Sequence, residues 1–238
     1  MKGTLKVIFG SLLLIFNLIS LNSCRQYGDK NNILQDDEEE SCNPNRLLSV
    51  FLVPMDGISD AEITLLKENF IKNFTDSLRE ITEVQILPHI LRHDSCLNDK
   101  KTRLSARRTL LFVENYYKRE AKEIAESKKE TAKYSNWYVI GVTNKDIATN
   151  IHGSDDYGIL GLSFLSQHNA SIISTKRLRD KKDLWKLAAH EFCHGFYGAH
   201  HCPNDDPKCI LQDAKGGNPH FELKENLCSS CAALCGFD

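Results

Sequence analysis

Hydrophobic and polar positions change period several times along this chain, and each change marks an element. Leu47 to Val53 is an almost unbroken apolar run halted by Pro54, the pattern of a buried strand. From Ser59 to about Leu78 the apolar residues Ile63, Leu66, Phe70, Phe74 and Leu78 recur at helical spacing, and Ser59-Asp60-Ala61-Glu62 offers a capped start. Val84 to Leu87, before Pro88, reads as a second strand. Ala106 to Lys122 predicts a helix with Leu110, Leu111, Val113 and Tyr117 as its apolar positions. Asn136 to Thr143, aromatic and β-branched before a polar turn, gives the clearest strand signal. Two shorter strands are expected at Gly158–Phe164 and Ala170–Ser174, a helix at Asp183–Phe196, and a short helix near the carboxyl terminus. Strand, helix, strand, helix, then strands predicts an α/β (α+β) domain built on one mixed sheet.

The amino terminus is patterned differently. Lys2 and Lys6 precede an apolar run from Val7 to Leu21, which reads as a secretory signal rather than a stable spanning helix. Leu21-Asn22-Ser23-Cys24 resembles a bacterial lipobox, in which the cysteine is acylated and becomes the mature amino terminus. Acylation at Cys24 would hold the protein at a membrane surface, since two acyl chains anchor where one binds only marginally. Residues 24–45 are polar and acidic, with the run Asp36-Asp37-Glu38-Glu39-Glu40, and cannot bury enough apolar surface to order; they read as a tether. The expected organisation is a signal over 1–23, a tether over 24–45 and one domain over 46–238, exported and membrane-anchored as a lipoprotein, periplasmic or at the cell surface.

Composition narrows the function class. The chain has 238 residues, enough for one domain with a sizeable core, and its 41% apolar and 26% charged content is ordinary for a globular protein. A net charge of −2 argues against nucleic acid as a partner. The basic run from Lys118 to Lys133 alternates with glutamate and reads as a solvated helix face. A monomer is expected. Nine cysteines are many for this length, and an odd number.

Candidate chemistry is concentrated in residues 190–202. His190 and His194 stand four apart, so on a helix both imidazoles point the same way, about one turn from each other. That separation lets them converge on one zinc ion, with Glu191 beside the metal as general base towards a water that the zinc activates. A third imidazole is available after Gly198, from His200 or His201. Cys202 abuts that pair, Cys209 follows, and Cys228-Ser229-Ser230-Cys231 forms a C-x-x-C knuckle. Two thiol pairs so spaced suit a closed tetrahedral zinc site; two disulfides are the rival reading in an exported protein, and the knuckle favours metal.

These residues resemble the archaemetzincins, a branch of the metzincin zinc peptidases. The resemblance extends upstream to Arg103-Leu104-Ser105-Ala106, to Val139 through Asp146, and to Gly158 through Leu178, so it spans about 46–235. It implies a metzincin-like domain with an active-site helix, an edge strand near Gly158–Phe164 that receives a peptide substrate, and a carboxyl-terminal subdomain held by zinc. It also implies two zinc ions. One is catalytic, on His190, His194 and a third histidine, with Glu191 as base; the other is structural, on Cys202, Cys209, Cys228 and Cys231.

The chain departs from that pattern at Tyr197, which occupies the glycine slot ahead of Gly198. Counting from His194 selects His200 as third ligand; counting from Gly198 or from the His-Cys junction selects His201. A sharp helix exit wants a left-handed residue, which tilts the choice towards Gly198 and His201. The loop from Cys202 to Cys209 is two residues longer than usual, and Leu211 stands where the family has methionine. A surface lipoprotein that keeps zinc without activity is the alternative. Of the other cysteines, Cys42 and Cys96 could pair, Cys193 is expected to be buried, and Cys235 is free or bonded.

Overall fold

The computed structural model describes residues 48–75, 81–128, 136–151, 154–165, 168–215, 221–235 and 237. The expected signal, lipobox and tether, with Cys24 and Cys42, lie outside these residues, as does Leu78.

The elements run β1 (Leu48–Met55), α1 (Asp60–Asn73), β2 (Ile81–Ile86), β3 (Leu104–Ser105), α2 (Ala106–Lys128), β4 (Trp137–Thr143), β5 (Ile147–Ile151), β6 (Ser154–Ile159), β7 (Gly161–Ser163), β8 (Ala170–Ser174), α3 (Leu184–Tyr197) and α4 (Ser229–Leu234). Five strands form the main sheet in the order β2-β1-β4-β8-β7. Its pairings are parallel except the last, where β7 runs antiparallel to β8 and forms the edge. This five-stranded sheet is the mixed sheet expected from the sequence; β3, β5 and β6 form a second, smaller sheet in addition to it.

Alternate residues of each central strand enter opposite cores. Val50, Leu52, Tyr138, Ile140 and Ile173 pack with α1 and α3, while Phe51, Val53, Met55, Val139 and Ile172 pack with α2. Burial on both faces is why β1 reads as an unbroken apolar run rather than an alternating one. The strand nevertheless passes through Pro54 to Met55, beyond the expected stop. The carbonyls of Leu52 and Pro54 both face the β2 side, accepting from Leu87 and Ile90. A Pro54 N–H would point the same way, past the end of β2, so its absence leaves the pairing with β4 intact.

α1 begins at the expected cap: Ser59 Oγ accepts from the Glu62 N–H, and Glu62 accepts from the Ser59 N–H at 3.1 Å. α2 runs six residues past its expected end, through part of the Lys/Glu-rich segment. The expected strand at Gly158–Phe164 proves to be two, β6 and β7, in different sheets. β5 and β6 form a hairpin that the sequence did not announce, because Ile147-Ala148-Thr149-Asn150-Ile151 has neither a long apolar run nor strict alternation. Asp146 joins the two sheets, taking Arg177 through Nε at 2.7 Å and Nη2 at 3.0 Å and Arg103 through Nε at 2.8 Å.

α3 lies directly against β4. Gly195 faces Tyr138 so closely that a Cβ there would fall 1.8 Å from the phenol oxygen and 2.8 Å from its ring carbon. Gly195→Ala is therefore expected to push α3 off the sheet, destabilising the fold by about 1–3 kcal/mol. Thermal unfolding should show a Tm lower by about 2–10 °C; an unchanged Tm would contradict this packing. Among the described residues, no helix is long and apolar enough to cross a membrane.

Candidate metal centres

The helix exit decides which third histidine is presented. α3 stops at Tyr197, and Gly198 takes the left-handed conformation at φ 66°, its N–H returning to the Cys193 carbonyl. With the chain leaving there, the ligand atoms of His190, His194 and His201 gather within 4.8 Å of one another. His200 is exposed and lines the cleft beside them without joining the set. Tyr197, in the position where a glycine was expected, completes the last helical turn, and the exit simply moves one residue on.

Protonation of the three rings is set by their surroundings. His190 Nδ1 meets the Ile210 carbonyl at 2.7 Å and His194 Nδ1 meets the Ala199 carbonyl at 2.5 Å. A carbonyl can only accept, so both Nδ1 atoms carry the proton and both Nε2 atoms present bare lone pairs. These two Nε2 atoms face each other at 3.0 Å. Two acceptors at that distance repel unless a cation lies between them. Tetrahedral zinc, with nitrogens about 2.0–2.1 Å away, would set them about 3.3 Å apart, so the donor set fits that ion. Burial holds the His190 pKa well below the usual histidine value, helped by neighbouring His194. Burial likewise brings His194 down to about 4 and lowers His201. All three are neutral near pH 7, the form that binds a metal ion.

Glu191 points from the same helix under the edge strand. Its carboxylate accepts from Ser163 Oγ at 2.8 Å, and Gly161 lies so close that a Cβ there would be 2.5 Å from Glu191 Oε1. β7 thus carries a glycine and a serine that together leave room for this carboxylate and hold it. Burial pushes the Glu191 pKa up to about 8, against the opposing effect of the Ser163 hydrogen bond. A divalent cation among the histidines would draw it down again. A cleft of about 660 Å³ opens over these groups, lined also by Thr149, Ile151, Tyr157 and Asp213 to Lys215. Tyr157 Oη donates to the Lys215 carbonyl at 3.2 Å, joining β6 to that last segment.

The four remaining predicted ligands also meet. The Sγ atoms of Cys202, Cys209, Cys228 and Cys231 lie within 4.8 Å of one another. All seven cysteines among the described residues are free thiols, and Cys202 and Cys228 have their sulfurs 3.6 Å apart. Four sulfurs gathered round one centre suit tetrahedral zinc, which sets them about 3.8 Å apart, rather than two disulfides. The Cys228 N–H points at Cys209 Sγ at 3.4 Å, a donor that favours a thiolate there. Burial opposes ionisation at Cys228, yet hydrogen bonds led by the Cys231 backbone outweigh it and bring this thiol to about 7. Burial raises Cys209 and Cys231.

Sequence reasoning missed the supports of these centres. Ser163, Gly161, Lys224 and the Ile210 carbonyl carry no local motif, since each acts through a contact distant in sequence, and the Ala199 carbonyl, five residues from His194, is a backbone group that any residue type supplies. Leu211, in the methionine position, is fully buried. Cys193 is buried as expected and lies beside Cys235, also buried, behind the four-thiol cluster. Cys96 is buried, and its suggested partner Cys42 lies outside the described residues.

A mixed sheet whose antiparallel edge strand overlies a His-Glu-x-x-His helix, followed by a cysteine-bound tail, defines a metzincin-like fold. Comparison with solved structures specifies it further. The chain is similar to archaemetzincin from Methanopyrus kandleri, with a TM-score of 0.60 and 18% identity over 80% of this chain and 94% of that one. It is similar to archaemetzincin from Archaeoglobus fulgidus, solved with malonate, with a TM-score of 0.55 and 19% identity over 78% and 99%. A zinc-dependent peptidase from Methanocorpusculum labreanum gives a TM-score of 0.60 and 17% identity over 78% and 99%. No protein-family model matches the chain, and no curated protein matches it in sequence. The fold is archaemetzincin-like.

Proposed function

We propose that this protein is a zinc-dependent peptidase, with His190, His194 and His201 holding a catalytic zinc and Cys202, Cys209, Cys228 and Cys231 a structural one. The observation that carries the reading is the pair of bare Nε2 atoms facing each other at 3.0 Å, beside a carboxylate wedged under an open sheet edge. Zinc at the histidines would supply a Lewis acid that makes water nucleophilic near neutral pH and polarises a carbonyl. The chain's own groups do the rest. Glu191 takes the proton of the attacking water and passes it to the leaving amine. Ser163 keeps that carboxylate aimed into the cleft. β7 offers its free side to an extended peptide, which adds as a further strand and so lays its scissile bond across Glu191.

The test joins metal analysis to hydrolysis. Two zinc ions per chain and cleavage within a broad peptide library are expected, with cleavage lost on chelation and regained on returning zinc. A chain that holds two zinc ions and cleaves nothing in the library would refute the peptidase reading.

A further inference from the structure

Lys224 has no exposed surface, and hydrolysis as described makes no use of it. A buried ammonium is strongly unfavourable unless its donors are satisfied. Lys224 Nζ donates to the carbonyl of Cys209 at 3.1 Å and to the carbonyl of Gln212, and lies 5.7 Å from the centre of the Phe221 ring.

The two carbonyls are the ends of one turn, closed by the Gln212 N–H donating to the Cys209 carbonyl at 3.0 Å. Three of the turn's residues serve the metal centres directly. Cys209 supplies a sulfur of the cysteine set. The Ile210 carbonyl orients His190 of the histidine set at 2.7 Å. The Leu211 carbonyl takes the N–H of Cys202, a second cysteine ligand, at 2.9 Å. A shift of this turn by a few tenths of an ångström would turn the His190 ring and move the Cys209 sulfur together. Outer partners of this kind commonly govern metal affinity by about 10–100-fold.

We infer that Lys224 is a positioning residue that clamps the Cys209–Gln212 turn and so makes the metal affinity of the histidine set depend on the geometry of the cysteine set. The inference rests on the two-zinc reading of the centres. Its consequence is reciprocal coupling: the histidine set binds more tightly when the cysteine set is filled than when it is empty, and the reverse holds by the same factor. Lys224 carries part of that dependence, because it fixes both ends of one of the two segments that contribute to both centres among the described residues, the other being the His201–Cys202 junction.

Cobalt(II) distinguishes the two centres, since four thiolates give intense sulfur-to-metal charge-transfer bands and three imidazoles give only weak ligand-field bands. Wild type, Lys224→Met and Lys224→Gln full-length proteins are titrated with cobalt(II). Met fills the same channel without donors, and Gln keeps an amide donor. Lys224→Met is expected to retain the charge-transfer bands while cobalt affinity at the histidine set falls about 10–100-fold, with Lys224→Gln intermediate. Should Lys224→Met lose the charge-transfer bands, Lys224→Gln decides by the same comparison. Wild-type affinity at both centres in the variants, or an equal loss at both, would overturn the clamp. A wild type whose cysteine set binds cobalt while its histidine set takes none would overturn the zinc reading itself, and the clamp with it.

Discussion

Glu191→Gln is expected to abolish peptide hydrolysis, by about 10²–10⁴-fold in kcat, with zinc content unchanged. The substitution keeps the shape of the side chain, so the space left by Gly161 still accommodates it and the amide oxygen can still accept from Ser163 Oγ. The proton acceptor alone is removed. The three imidazoles are positioned by the helix, by Gly198 and by the Ile210 and Ala199 carbonyls, none of which the change touches. Metal content and rate must therefore separate. Residual hydrolysis near the wild-type rate in a fully loaded variant would remove Glu191 from the mechanism.

The second large effect concerns stability rather than rate. Under the two-zinc reading proposed above, Cys231→Ser is expected to release the zinc of the cysteine set and to lower Tm by about 10–20 °C, a loss of roughly 4–5 kcal/mol at this chain length. Cys231 is fully buried, and its sulfur shares a centre with Cys228 of the same knuckle and with Cys202 and Cys209 of earlier segments. Among the described residues, the carboxyl-terminal region outside that centre has little regular structure of its own beyond the short α4. Zinc binding energy in such a region is folding energy. Release of one zinc equivalent and the drop in Tm should coincide, as read by metal analysis and calorimetry. A variant that melts with wild type would show that the region folds without its metal.

Much of this was legible in the sequence, for physical reasons that differ by element. β1 and β4 could be read because burial on both faces demands continuous apolar residues, and α1 because its apolar spacing and its Ser59–Glu62 box are both local. His190, Glu191 and His194 could be read because one helix carries all three at fixed spacing. The choice between His200 and His201 was not fully legible, since it turns on whether the helix exits at Tyr197 or Gly198. The β5–β6 hairpin escaped because its strands are short, half exposed and paired in a second sheet. Ser163 and Lys224 escaped for another reason. Each supports a centre built 28 and 15 residues away, the separations of Ser163 from Glu191 and of Lys224 from Cys209, and no periodicity records such a contact.

The edge strand over the carboxylate is only three residues long, Gly161–Ser163. A peptide pairing with so short a ladder forms about three backbone hydrogen bonds, worth about 0.5–1.5 kcal/mol each in net terms. That sum, about 2–4 kcal/mol, corresponds to dissociation constants in the millimolar range or weaker. Main-chain pairing of the proposed kind at this edge would therefore align a peptide without retaining it. Any tight or selective capture has to come from side chains entering the apolar cleft, and only a segment already extended and unpaired can be presented to the edge at all.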